Sequence, residues 1–419
     1  MATLEDILKR EVRNIYVSKR FSPQKFQENL EQGFRQYGYR ESGGTIVEIL
    51  VLALNAIGDN VLYSAFLREL RRNYPQSHIT VVVTPLVYPL VEYCPYVNSV
   101  LTFPLHPYEN FNEYFPRMIE FAQKELWPRR FALSISPMWS DDKRPLNLLS
   151  FLSGARRRLG ISDEALRAYG INCSLADQWE FLLTDALITP TDVTHEAARA
   201  LYIISYLDGL VADKTTELWL TAADTNRVKE LFNTENAYVV LGLGAGASNR
   251  KYPLDKWGVA LREIMMRYSL CVVICGGKAE EQEGKYIADL LPQDRVINLT
   301  NRTSLRETAA VIKMARCYLG NVTGMMHMAA AVHTPLICLY REAVKRPEAP
   351  AGIFSESTRF APWQAQAVIL QPEEAIGKCA HMVTYGGCLS EAAHCIAQIS
   401  PQEVVQAFAY VWEHIVQTE

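Results

Sequence analysis

The chain has 419 residues, room for two or three domains, with 49% hydrophobic and 21% charged residues, the balance of an ordinary globular protein. Its net charge of -4 gives no general attraction for nucleic acid or an anionic membrane surface. No apolar run approaches the ~20 residues that span a bilayer, residues 1–39 hold no apolar signal core, and the nine cysteines form no dense framework, so reduced thiols and a cytoplasmic setting are expected.

Residues 1–43 read as a polar, helical preface that ends at Ser42-Gly43-Gly44. Residues 45–54 (TIVEILVLAL) form a near-continuous apolar run, the pattern of a strand covered on both faces. Asn55-Ala56-Ile57-Gly58-Asp59 is the turn after it, and a helix to about Tyr74 places Leu62, Phe66 and Leu70 on one face. Strands at 78–83, 100–103 and 131–135 follow, with a helix near 111–126. The middle is less periodic: a helix at 145–152, a basic cluster at Arg156-Arg157-Arg158, and a helix at 196–207.

Residues 213–222 have no clean period and read as a linker, after which the pattern restarts. A strand at 238–243 runs into the small-residue loop Gly244-Ala245-Gly246-Ala247-Ser248, and a helix begins after Pro253. A strand at 271–275 ends in Gly276-Gly277 before a polar helix at 280–291, and a short strand occupies 296–299. In the helix at 304–313, Ser304 and Glu307 have capping-box spacing. Ser400 and Pro401 open a last helix to about Val416. Apolar strands alternating with amphipathic helices predict an α/β fold in two halves, each with a glycine-bearing strand-to-helix turn.

The most informative stretch is 320–340 (GNVTGMMHMAAAVHTPLICLY). It reads as a strand end, a Thr-Gly turn, a helix of small residues and a second strand. A helix starting on Thr323-Gly324 at a parallel strand's carboxyl end aims bare N–H groups at whatever sits there, a geometry suited to a diphosphate. An ordinary ligand-free βαβ unit fits the spacing equally well.

Four blocks in order carry a resemblance: LNAIGDNVLYSAFLRELRRNYP, GLGAGASNRKYPLDKW, CGGKAEEQE and GNVTGMMHMAAAVHTPLICLY. Together they resemble glycosyltransferase family 9, the ADP-heptose:lipopolysaccharide heptosyltransferases, over roughly residues 45–410. The resemblance implies the GT-B fold, two Rossmann-like domains facing across a cleft. The bounds expected are an extension at 1–43, an acceptor domain at 44–212, a linker at 213–222 and a nucleotide-sugar domain at 223–400. The last helix, within 401–419, is expected to pack back on the first domain.

It further implies inverting sugar transfer, heptose or a related sugar, from a nucleotide diphosphate donor to a bacterial surface glycan or lipopolysaccharide-type acceptor, with no cofactor required. A glycolipid acceptor would bring the enzyme into peripheral contact with the inner membrane. An inactive nucleotide-sugar binding protein and a UDP-sugar epimerase-like enzyme are the competing readings.

Inverting transfer needs a base for the acceptor hydroxyl and donors for the leaving diphosphate. Asp59 matches the family's base, although plain helix capping is the other use of an Asp at such a turn. Lys251 matches the family's phosphate-binding Lys, with Ser248 as a hydroxyl donor and Arg250 as a neighbouring competitor. Glu280 matches the family's ribose-binding Glu, with Glu281 and Glu283 close in register. Thr323, Gly324 and Met325 would offer backbone N–H groups to the diphosphate, while His327 either contacts phosphate or packs as a core histidine.

Two positions depart from the family pattern: Val322 stands where it has Asp, and Met325 replaces a common Pro. The family Asp reads donor sugar hydroxyls, and Val cannot accept a hydrogen bond. Either the sugar differs from heptose or Asn321 takes the contact. On the acceptor side, Lys143, Arg144 and Arg156 to Arg158 are candidates for anionic groups, and Trp139 for stacking on a sugar. Cys379, Cys388 and Cys395, with His381 and His394, are of the types that could hold a metal, but their spacings are long and irregular with no C-x-x-C, so packed thiols and no metal are expected.

Overall fold

The computed structural model describes residue 28 and residues 47–105, 111–139, 144–162, 164, 179–232, 236–345, 355–377 and 390–416. Apart from Glu28, the helical preface expected at 1–43 lies outside the described residues, as do Lys143, Cys379, His381 and Cys388.

The first half is a six-stranded sheet of β1 (Glu48–Ala53), β2 (His78–Val83), β3 (Ser99–Thr102), β4 (Leu133–Ser136), β5 (Arg157–Ile161) and β6 (Asp185–Leu187), ordered β3-β2-β1-β4-β5-β6. The second is built from β7 (Tyr238–Gly242), β8 (Cys271–Cys275), β9 (Val296–Asn298), β10 (Cys317–Asn321), β11 (Leu336–Leu339) and β12 (Ala367–Leu370), ordered β12-β11-β10-β7-β8-β9. All pairings are parallel. The two orders are the same doubly wound arrangement, in which the winding reverses between β1 and β4 and again between β7 and β10. Such reversals open a crevice at the carboxyl ends of the strands.

The inner strands read correctly because both faces are covered. Ile49 to Leu52 and Val239 to Leu241 are fully buried, so no polar residue interrupts the run. Helix α1 (Ile57–Asn73) follows β1, and α2 (Phe111–Phe121) continues as a π-helical turn over Ala122–Leu126, together filling the expected 111–126 span. Further along lie α3 (Arg144–Leu152), α4 (Glu196–Tyr206) and α5 (Ala222–Leu231). The second half adds α6 (Leu254–Arg267), α7 (Glu281–Leu290), α8 (Leu305–Lys313) and α9 (Gly324–Ala331). Ser304 and Glu307 form the reciprocal capping box at the start of α8, as their spacing predicts.

Outer strands were harder to foresee. β5 opens with two arginines and so reads as a basic patch, yet both are engaged within the fold. Arg157 meets Asp185 of β6 at 2.8 Å. Arg158 is buried, donates to the carbonyls of Leu182 (2.7 Å) and Ala155 (2.9 Å), and lies over Phe151.

Residues 209–221 contain no regular element but are held firmly. Glu69, fully buried in α1, accepts from the backbone N–H of Ala212 (2.9 Å), and Arg68 reaches the carbonyls of Asp213 and Thr215. The last helix, α10 (Pro401–Val411), departs from expectation. Its described packing is on α6, β11 and β12 of the second sheet, because Phe408 and Trp412 find Tyr268 there at ring distances of 5.2 and 5.4 Å. Among the described residues, no helix is long and apolar enough to cross a membrane.

Candidate active site

The carboxyl edges of the two sheets face one another around a cavity of about 710 Å3. Its walls are the turn Ala56 to Asp59 after β1, the loop Gly244 to Gly246 after β7, Gly276 and Gly277 after β8, and Val322 to Met325 after β10. Those are the two winding reversals and one neighbouring strand end.

The halves touch at their glycines. A Cβ on Gly58 would lie 2.7 Å from Cδ2 of His327, and one on Gly324 would lie 2.6 Å from Cγ2 of Ile57. Helices α1 and α9 therefore meet end to end across the cleft only because both turns lack a side chain at the point of approach.

Asp59 lines the cavity from the first turn of α1. The N-cap position belongs to Ala56, which offers no side-chain hydrogen bond, so Asp59 is not the capping residue. It is the carboxylate that the first half contributes to the described wall.

Across the cleft, Thr323 is the N-cap of α9 and makes no side-chain capping bond; its Oγ1 is buried beside the Tyr318 hydroxyl. The first N–H groups of α9, from Gly324 and Met325, open on the cavity wall. His327, one turn on, is 4% exposed and lines the same wall. Burial, and to a lesser degree the nearness of His195, hold its imidazole down to about 3, so it is neutral, and its Nδ1 has no partner. With that nitrogen open, it is not a fully satisfied core histidine.

Glu280 is the one of the three neighbouring glutamates that reaches the cavity. Its Oε2 accepts from the N–H of Gly277 at 2.9 Å, which fixes the carboxylate at the end of β8. Glu281 takes the Asn301 side chain instead, and Glu283 takes Lys251 at 2.8 Å.

That last pair turns the Lys251 ammonium toward α7. Lys251 falls outside the lining: its Nζ sits between Glu283 and Glu280 Oε1, the latter 3.6 Å away, where it orients Glu280. Among the described residues, the cations on the wall are Arg250 and Arg359. Arg250 donates from Nη2 to Glu356 at 2.5 Å, and its Nε is buried without a partner. Ser248 also falls outside the lining and begins the 3-10 turn Ser248–Arg250 that swings Arg250 inward. The small loop contributes its backbone, through Gly244, Ala245 and Gly246.

Asn321 does not replace the missing Asp. It is 1% exposed, its Oδ1 accepts from the N–H of Tyr252 at 3.0 Å, and its amide faces the carbonyls of Leu243 and Gly244. Trp139 is also unsuited to a sugar: it is 2% exposed, with the Arg199 and Arg359 guanidiniums 3.7 and 4.8 Å from its ring centre. Arg156 sits just before β5, where register places Arg157 level with Leu133 and hence with Ile49 at the amino end of β1. That is the opposite edge of the sheet from the cavity. Arg144 enters only as the first residue of α3. Among the described residues, no group of three or more His, Cys, Asp or Glu is placed to hold a metal.

The segment from Glu356 to Phe360 was not foreseen. It lines the cavity with Glu356, Arg359 and Phe360 and joins the halves: Arg359 Nε donates to Glu196 of α4 at 2.7 Å, in a pocket where both residues are buried. His195 donates from Nε2 to the Ala361 carbonyl at 3.0 Å. No periodicity marks this segment, since it is a return loop between β11 and β12.

Comparison with known proteins now bears on the cleft. A family model described as glycosyltransferase family 9 (heptosyltransferase) matches residues 169–388, more than half of the chain. The chain belongs to glycosyltransferase family 9. The lipopolysaccharide heptosyltransferase 2 of Salmonella typhimurium is 24% identical over 310 residues, covering 70% of this chain and 82% of that protein. The enzyme of the same name from Escherichia coli K12 is 22% identical over 310 residues, with the same coverage.

Two solved structures share the fold of this family 9 glycosyltransferase. A family 9 glycosyl transferase from Veillonella parvula superposes with a TM-score of 0.68 at 16% identity, over 91% of this chain and 100% of that one. E. coli ADP-heptose lps heptosyltransferase II does so with a TM-score of 0.64 at 19% identity, over 87% of this chain and 98% of that one. The two-domain GT-B architecture and the glycosyltransferase activity expected from the sequence both stand.

Proposed function

We propose that this glycosyltransferase moves heptose or a closely related sugar from an ADP-linked donor to a lipopolysaccharide-type acceptor, inverting the anomeric carbon. The reading is supported by the names of its relatives and carried by one observation: the Asp59 turn, the glycine loop at 244–246, Glu280 and the start of α9 converge on one cavity from both halves.

In this reading the second half holds the donor. Glu280 accepts hydroxyl hydrogens of the ribose, while Arg250 and the N–H groups of Thr323, Gly324 and Met325 face the diphosphate. The first half brings the acceptor to Asp59. Its carboxylate takes the proton from the acceptor hydroxyl as that oxygen attacks the anomeric carbon. The bond from that carbon to the diphosphate oxygen breaks, and the charge arriving on ADP meets Arg250 and the α9 terminus. A lipid-linked acceptor would place the enzyme on the cytoplasmic face of the inner membrane as a peripheral protein.

The test is hydrolysis and transfer with a panel of ADP-, UDP- and GDP-sugars, on wild type and Asp59→Ala. ADP-heptose should be the best donor, and Asp59→Ala should lower transfer by about 10³-fold while still binding ADP. A wild type that binds and turns over none of the panel ends the enzyme reading; full transfer by Asp59→Ala ends the base assignment.

A further inference from the structure

A polyhydroxylated donor needs hydrogen-bond acceptors on the wall that faces its sugar. Beside the diphosphate turn that wall is apolar: Val322, Met325 and Met328 line it, and the Asn321 side chain is spent inside the loop packing. Among the described residues, the carboxylates lining the cavity are Asp59, Glu280 and Glu356. Glu280 is committed to Gly277 and the Lys251 side, and Asp59 belongs to the opposite half.

Glu356 is placed differently. It stands at the first position of the short helix Glu356–Arg359, 6% exposed, beside the glycine loop through its bond to Arg250. Two guanidiniums grip a single oxygen: Oε1 accepts from Arg250 Nη2 at 2.5 Å and from Arg341 Nη2 at 2.8 Å. Arg341 is in turn fixed by Asn249 at 2.6 Å, so the carboxylate is held from both sides. The other oxygen, Oε2, is buried and has no hydrogen-bond partner. Leaving a carboxylate oxygen buried and unpartnered is costly, and a hydroxyl donor would relieve that cost without displacing any existing bond.

We propose that Glu356 is the specificity-determining residue for the donor sugar, accepting a hydrogen bond from a sugar hydroxyl through Oε2. The Arg250–Arg341 grip preorganises it, and Val322 leaves the neighbouring wall to shape alone. This inference rests on the nucleotide-sugar reading above and adds to it the group that reads the sugar.

Calorimetric affinities for ADP and for ADP-heptose, on wild type and Glu356→Gln, separate the alternatives. The sugar contact predicts that Glu356→Gln weakens ADP-heptose about tenfold more than it weakens ADP, since a hydrogen bond to a charged group is lost only with the sugar present. Equal weakening of both would mean that Glu356 only holds Arg250, and it overturns the inference, as does no weakening at all. A wild type that binds neither compound refutes the donor reading itself, and the inference falls with it. Should Glu356→Gln fail to fold, wild type is titrated with ADP-heptose analogues deoxygenated at one hydroxyl at a time. One position must then cost about tenfold, and a flat series overturns the inference.

Discussion

The two halves share a strand order and a glycine turn, yet they furnish the cavity very unequally. Among the described residues, five lining positions come from the first half and nineteen from the second. The first contributes one strip, Ala56 to Asp59, with Leu86 beside it. The second contributes the segments after β7, β8 and β10, the start of α8 with Thr303 and Leu305, and the Glu356 to Phe360 segment. A repeated architecture thus does not imply a repeated role. Among the described residues, most of the wall belongs to the second half, and the first half adds to it one carboxylate, Asp59.

The largest effect is expected at the joint between the halves. His195 of the first half accepts from the Ala197 N–H through Nδ1 and donates from Nε2 to Ala361 of the second, which fixes one neutral tautomer. Burial lowers its pKa to about 4, and His327 on the other side is lowered to about 3. Because both folded values lie below the ordinary 6.5, the stability they contribute is full above pH 6.5 and is lost as pH falls toward 4. For His195 the loss is about 3 kcal/mol. Thermal melts from pH 7 to 4 should show it, and His195→Gln should flatten the slope. An unchanged slope would remove His195 from the joint.

Next in size is the cation test within the second half. Arg250→Ala should weaken ADP by about 2 kcal/mol, as expected for a charge-assisted contact to the diphosphate. Lys251→Ala should cost ADP less, acting only through the freed Glu280. The reverse order in titration calorimetry would return the phosphate role to Lys251.

The smallest effect concerns the glycine contact. Gly58→Ala places a Cβ against His327 and should cost about 1 kcal/mol of stability, with a Tm lower by a few degrees and little change in ADP affinity. A loss of ADP binding as large as that of Arg250→Ala would show that the first half shapes the donor site more than its lining suggests.

Much of this was legible in the chain because the inner strands and turns are local signals. The run from Ile49 to Ala53 is apolar since both its faces are covered, and Ser304 with Glu307 caps its helix through neighbours three apart. Asp59, Glu280, Thr323, Gly324, Met325 and His327 follow strand ends, and a parallel sheet delivers all strand ends to one edge. Their meeting in one cavity follows from that rule.

Other features had no local signal. β5 reads as a basic patch until β6 supplies Asp185, from 28 residues further along, to pair with Arg157. Arg250 and Lys251 are neighbours of like charge, and only the position of Glu283 draws one away from the cavity while the 3-10 turn points the other in. Glu356 and Arg359 are unremarkable charges in a loop until Arg341, Arg250 and Glu196 converge on them. The sequence by itself determined the two-fold α/β plan, the glycine turns and the acid at the first of them, because periodicity and turn chemistry act between near neighbours. Which cation faces the cleft, which carboxylate keeps a buried, unpartnered oxygen, and where the last helix packs were decided by the tertiary structure. Each depends on partners brought together from distant parts of the chain, where burial makes an unpaired charge too costly to leave alone.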